Sequence, residues 1–386
     1  MNIGIVTQNF YPRLGGMEYA TYLLAKSLAE RDDVSVAVAC STMPEVPKDF
    51  AYPFPAYRHR SFSILTPWLR MTNISRLVCE QSVNLLHGMT LTGGGREAML
   101  TAKKRGLPCV VQAHGSDVQV VEEIGYGELR DPRQRLIAEE TLNTVNAVVA
   151  VSSLNRDMII DLGADSEKVT VIHNGCHYKE IGNIPFEDFR PQLDIDEDTF
   201  VLVTLGRNSP VKRMKLLFQA LKVLKKSEYD ILCLCIGPET NLRNLAQTYD
   251  VEEMVRIVGP LVPDPEKDNP PLPRLINLLR SADLFVSCSY VESFNSSALD
   301  ALACGIPSLV TPKQGIVDFI EEGKTGYVIE EADYEYLAGK IEDLCRDRER
   351  LRSMSEEISN SVAHLDWPRV AERFAELYAR VLQGAA

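Results

Sequence analysis

The stretch ADLFVSCSYVESFNSSALDALACGIP constrains the chain most. Asp283–Ser287 reads as a short buried strand, and Ser296–Cys304 as a helix stopped by Gly305, with Pro307 just beyond. Between them lies Glu292-Ser-Phe-Asn-Ser. The first backbone N–H groups of that helix lack intrahelical partners and stand at the positive end of its dipole. They form a donor cluster suited to a phosphate or pyrophosphate. Glu292 precedes this anion site, and Asp300, four residues past Ser296, lies about one turn up the same helix face. Carboxylates flanking an anion site suit a ligand with a phosphate centre and hydroxyls on both sides, the layout of a nucleotide-sugar. An ordinary strand–loop–helix unit with a capped helix is the alternative for this stretch taken alone.

The same unit recurs along the chain. Ile3–Thr7 reads as a strand. It is followed by a helix whose Ala20, Leu23, Leu24, Ser27 and Leu28 keep helical spacing, and then by a strand at Val34–Ala39. Gly15-Gly16 stands where that helix starts, so backbone can approach a ligand phosphate there; a plain turn is the alternative. The pair does not make a Gly-X-Gly-X-X-Gly fingerprint, so a dinucleotide site is not indicated. Residues 41–80 read as irregular. Within them, the basic and aromatic segment from Tyr57 to Arg70, with Trp68, suits either a membrane-surface contact or a surface loop leading into a packed helix. Arg96, Lys103, Lys104 and Arg105 could extend such a patch. Strands are expected at Pro108–Ala113, Ala147–Val151 and Val169–Ile172. The first ends in His114-Gly-Ser-Asp117, which puts His114 at the carboxyl end of a strand, where open α/β sheets bind ligands, and leaves Asp117 as a cap for a following helix.

Residues 178–199, rich in Pro, Asp and Glu, read as an interdomain linker. Asp194-Ile-Asp196 within it is read as solvated charge rather than a metal motif. A second half opens with a strand at Phe200–Leu205 and the loop Gly206-Arg207 to Lys212, where Arg and Lys five residues apart can both face a pyrophosphate. Two such cations would remove the need for a metal at the leaving group. Further strands are expected at Asp230–Gly237 and Met254–Val258, and helices at 335–358 and Arg369–Leu382, with Trp367 structural.

Composition narrows the class. At 386 residues the chain is long enough for two domains, and a formal net charge of −13 argues against a nucleic-acid partner. The N-terminus lacks a basic region followed by an apolar run, and no segment is long and apolar enough to span a bilayer. The nine cysteines show no Cys-X-X-Cys pair, so reduced buried thiols in a cytoplasmic protein are expected, and neither a metal nor a cofactor is. A peripheral contact at the inner face of the membrane is the open alternative for location. Cys233 and Cys235 alternate on one strand and should share a core face.

The combination of motifs resembles the retaining glycosyltransferases of family 4. The resemblance rests on Glu292, Phe294, Ala301, Gly305, Pro307, Gly315, Ile316, Phe319 and Gly326, on Gly206-Arg207 and Lys212, on His114, and on Gly15-Gly16 before Glu18. The chain departs at Asn295 for a Gly, Asp300 and Asp318 for Glu, and His177 for Asp. The resemblance implies the GT-B architecture: two Rossmann-like α/β domains facing across a cleft. Residues 1–180 would be the acceptor side, joined by a last helix at 367–386 that crosses back, and 181–366 would bind the donor. It implies retaining transfer of a hexosyl group from a UDP- or GDP-sugar to the hydroxyl of a sugar, glycolipid or small-molecule acceptor, and the basic and aromatic segment near Trp68 points to cell-surface glycan or glycolipid synthesis. Arg207, Lys212, Gly15, Gly16 and the N–H groups of Phe294, Asn295 and Ser296 would hold the diphosphate. Leu261 would lie beside the nucleobase, Asp300 would hold the ribose, Glu292 the donor sugar, and His114 the reacting centre. The departures leave open a non-catalytic nucleotide-sugar-binding relative or partner subunit.

Overall fold

Short apolar runs separated by helices pair side by side in parallel, because each helix returns the chain to the same end of the sheet. The computed structural model, which describes residues 1–13, 15–42, 51–60, 66–261 and 272–384, has two such sheets. The first contains β1 (Asn2–Val6), β2 (Ser35–Thr42), β3 (Ala56–Arg60), β4 (Leu85–Met89), β5 (Cys109–Ala113), β6 (Ala147–Ala150) and β7 (Val169–Val171), in the order β3-β2-β1-β4-β5-β6-β7. The second contains β8 (Phe200–Leu205), β9 (Ile231–Ile236), β10 (Val255–Val258), β11 (Leu284–Ser287), β12 (Ser308–Val310) and β13 (Gly326–Val328), in the order β10-β9-β8-β11-β12-β13. Every ladder pairs parallel strands. The α/β class expected from the sequence is what the chain adopts.

Each sheet belongs to its own unit, Met1–Gly175 with Trp367–Ala386 for the first and Cys176–Asp366 for the second. Both sheets reverse direction of growth next to their first strand. In the first, successive strands go outward from β1 on one side, then resume with β4 on the other; in the second the reversal lies between β8 and β11. Chain leaving two adjacent strands in opposite directions opens a crevice at their carboxyl ends, the place where such sheets bind ligands.

In the first unit side chains alternate across the sheet. Ile3, Ile5, Val36, Val38 and Leu85 meet the helices Gly16–Ala29 and Trp367–Gly384 on one face. Val6, Ala37, Ala39, Leu86 and Val111 pack on the other. Trp367 is buried in the first of these layers, a structural position. Gly175 lies flat against its ring: a Cβ there would fall 2.5 Å from Trp367 Cδ2. In the second unit β9 is buried along its whole length, and the Cys233 and Cys235 sulfurs lie 3.6 Å apart on one face.

Three expectations are corrected. Residues 41–80 are not irregular throughout: they hold β3 and the helix Thr66–Glu80, while 43–50 and 61–65, part of the basic and aromatic segment, lie outside the described residues. The segment 178–199 is not a loose linker, since it forms the helix Tyr178–Asn183 and sends the buried Arg190 to Asp283 at 2.7 Å. Arg348 also reaches Asp283, at 2.9 Å. The acidic composition that suggested a linker is thus partly the surface of a packed strap. Asp117 caps no helix; its carboxylate has another task, described below.

Candidate active site

In the second unit the site is built by the loops that leave β8 and β11 at the switch point. The β8 loop turns through Gly206, at φ +141°, and a single 3-10 turn at Pro210–Lys212. It is stitched to the β11 loop by the Tyr290 N–H donating to the Val211 carbonyl at 2.8 Å, and by the Arg213 guanidinium stacked 4.2 Å from the Tyr290 ring centroid. This brings Lys212 Nζ to 2.7 Å from Glu292 Oε1. The same carboxylate accepts from the Ser289 hydroxyl at 2.8 Å. Arg207, on the same loop, is exposed and has no ion pair among the described residues.

The helix Ser296–Ala303 follows Glu292 after Ser293, Phe294 and Asn295. Asn295 is its N-cap, with φ +82°, and its Oδ1 accepts from the Ala298 N–H at 3.2 Å. Its amide donates to Ser287 Oγ at 3.0 Å and to Gln314 Oε1 at 2.6 Å. Asn is the non-glycine residue that most readily takes this left-handed conformation. The departure from Gly at this position therefore keeps the backbone turn and adds a cap. The N–H groups of Ser296 and Ser297 have no partner among the described residues and remain at the positive end of the helix. Phe294 is buried against Phe319, so it presents backbone rather than ring. Asp300 lies one turn along, where burial pushes its carboxyl up to about 7. Leu261 is half-buried beyond β10, and Val262, its neighbour in the expected nucleobase loop, lies outside the described residues.

In the first unit the loops leaving β1, β4 and β5 enclose a cavity of about 400 Å³. Thr7, Gln8 and Asn9 come from the first loop, Thr90, Thr92 and Gly93 from the second, and His114, Gly115, Ser116 and Asp117 from the third. Thr90 has φ +65°, costly for a β-branched residue and held only where the surroundings impose it. Asp117 imposes it. Its buried carboxylate accepts from the backbone N–H of Leu91 at 2.9 Å, of Gly115 at 2.7 Å and of His114 at 3.2 Å, locking the β4 and β5 loops together. Burial keeps the His114 imidazole neutral by pushing its pKa down to about 4. Behind it, His87 on β4 shares a 2.7 Å hydrogen bond with the Tyr378 hydroxyl. Gly15 is the N-cap of the helix Gly16–Ala29, and the Glu18 carboxylate folds back so closely that a Cβ on Gly15 would collide with it. Gly16 is open, with nothing near its missing Cβ.

The expected residues thus fall into two groups. Arg207, Lys212, Glu292, Phe294, Asn295, Ser296 and Asp300 gather in the second unit, and Gly15, Gly16 and His114 in the first. Sequence reasoning missed Gln314, which is buried and ties Asn295, Ser287 and Thr311 together, and most of the first cavity, including Glu128 and Gln134.

Two family models match the chain: Glycosyltransferase Family 4 over residues 14–179 and Glycosyl transferases group 1 over 185–361. The chain belongs to the family 4, group 1 glycosyltransferases. It is 26% identical over 303 residues to a D-inositol 3-phosphate glycosyltransferase of Thermobispora bispora, covering 75% of this chain and 69% of that one. It is 23% identical to the N-acetyl-alpha-D-glucosaminyl L-malate synthase of Bacillus anthracis, covering 99% and 98%. Among solved structures, Anabaena HepE in complex with UDP superposes with a TM-score of 0.76 at 18% identity, covering 98% of this chain and all of that one. Sucrose-phosphate synthase of Thermosynechococcus elongatus superposes with 0.80 at 17% identity, covering 99% of each. The family 4 glycosyltransferase thus has the GT-B fold of these neighbours.

Proposed function

We propose that this glycosyltransferase moves a hexosyl group, with retention, from a nucleotide-diphospho-sugar, a UDP- or GDP-sugar, to an acceptor hydroxyl. The observation that carries the donor is the Lys212–Glu292 pair set beside uncapped helix N–H groups at the switch point of the second sheet. Lys212 and Arg207 supply the charge that a leaving diphosphate needs, without a metal ion. The open N–H groups of Ser296 and Ser297 point the same way. Glu292 accepts from donor-sugar hydroxyls and Asp300 from the ribose. HepE, solved with UDP, supports a uridine nucleotide in this fold. The 176–366 unit is then the donor side and the first unit the acceptor side, with neutral His114 hydrogen-bonding near the reacting carbon. The bond from sugar carbon to diphosphate oxygen breaks and one to the acceptor oxygen forms. The acceptor proton passes to the departing diphosphate, so no side-chain nucleophile is required. A role in cell-surface glycan or glycolipid synthesis fits such a transferase.

A thermal-shift screen against UDP-, GDP-, ADP- and TDP-sugars, with and without EDTA, tests this. A donor at about 100 times its Kd adds about 2.7 kcal/mol. A selective rise in Tm that survives EDTA is expected. Loss of the shift in EDTA removes metal independence, and no shift with any donor removes the donor site.

A further inference from the structure

We propose that the acceptor is an uncharged polyol, a sugar held through its hydroxyls in the cavity at the first sheet's switch point. This rests on the glycosyltransferase reading above and goes beyond it by fixing the acceptor's charge class. Among the described residues lining that cavity there is no lysine or arginine, while Glu18, Asp117 and Glu128 are carboxylates. Asp117 is consumed by three backbone N–H groups. Glu128 is differently employed: one oxygen accepts from the Ser116 hydroxyl at 2.6 Å, the other from the Thr92 hydroxyl at 2.5 Å. A carboxylate accepting from two hydroxyls is already set up as sugar hydroxyls would engage it, either beside Thr92 and Ser116 or in their place. The side-chain amides of Gln8, Asn9 and Gln134 complete a lining that donates and accepts without positive charge.

The named relatives act on anions: inositol 3-phosphate in one case and malate in the other. A phosphate or carboxylate here would meet Glu128, which has no ion pair among the described residues, and like charges brought together at a binding site discriminate strongly. The Arg13 guanidinium, outside the lining, donates to Asn9 Oδ1 at 2.8 Å and lies 4.0 Å from Glu18, so these two charges offset each other.

Ligand-observed NMR on the full chain reads this without a donor. The neutral probes are methyl glucoside, methyl galactoside, methyl mannoside, N-acetylglucosamine and myo-inositol. The anionic probes are glucose 6-phosphate, inositol 1-phosphate, glucuronic acid and L-malate. At least one neutral sugar should bind saturably and about 100-fold tighter than its phosphorylated counterpart. Glu128→Gln, with Glu18→Gln as the second variant, should weaken the neutral sugar about 10-fold and narrow the discrimination; equal weakening of both classes would leave Glu128 only a structural role. An anion that binds as well as the neutral sugars, or a panel in which no neutral sugar binds, overturns the proposal. Should an anion bind, Arg13→Gln abolishing it would identify Arg13 as the missed cation. Because sugar binding is read alone, failure here is distinct from failure of the donor screen.

Discussion

Lys212 and Glu292 neutralise each other at 2.7 Å while each stays about a fifth to a quarter exposed, with side-chain exposures of 24% and 20%. Replacing either by Ala frees a charge that water can reach, so stability should change by about 1 kcal/mol or less. Transfer should instead fall by at least about 100-fold, the scale of losing one preorganised group at a developing charge. Turnover assays paired with thermal melts check both; near-wild-type turnover in the two variants would remove the site assignment. Asp300 makes an opposite prediction. Its folded pKa rises from 3.8 to about 7, so the native state binds the extra proton in that window, and stability falls as pH climbs through it. Asp300→Asn removes that penalty. Its Tm advantage over the wild type should be small near about pH 5 and larger near about pH 8. A pH-independent difference would show that the carboxyl is well solvated.

At the scale of elements, helix starts and packed crossings carry the site. Asn295→Ala loses the cap, strains a left-handed residue and leaves Gln314 Oε1 short of one donor, and should cost about 2–4 kcal/mol in urea unfolding. Asn295→Gly keeps the backbone conformation and should cost clearly less. Gly175→Ala drives a methyl into the Trp367 ring and should destabilise the docking of the last helix by about 1–3 kcal/mol, seen as a lower Tm. The second-unit site was legible in the sequence because its residues cluster in two short loops, each following an apolar strand, one marked by Gly206, Arg207 and Lys212 and the other by Glu292 before a helix start. The first-unit cavity was not. Its lining runs from Thr7 to Gln134 and is assembled by strand order, which no local pattern records. β4 was overlooked because His87 and Gly88 interrupt its apolar run, and His87 is tolerated in the core through a hydroxyl 291 residues away.

For the whole molecule, two sheets each carry a switch point, one per unit, and the proposed reading puts the donor at one and the acceptor at the other. Hydrogen exchange should therefore separate them. A nucleotide-sugar should protect the backbone around 206–213 and 288–298, and a neutral sugar that around 90–94 and 114–117. Protection of the same peptides by both would contradict the division.

The order in which the ribosome delivers this chain follows from where its last helix lies. The helix Trp367–Gly384 covers a face of the first sheet, against Ile3, Leu24 and Leu28 among others. That face is synthesised first but cannot be closed until the helix Trp367–Gly384 emerges. At about 5–20 residues per second, the nascent first unit waits roughly 10–40 s with an open apolar layer. The second unit, contiguous from Cys176 to Asp366, is finished before it. During synthesis this protein should therefore lean on nascent-chain chaperones through its N-terminal half until the helix Trp367–Gly384 is free to dock.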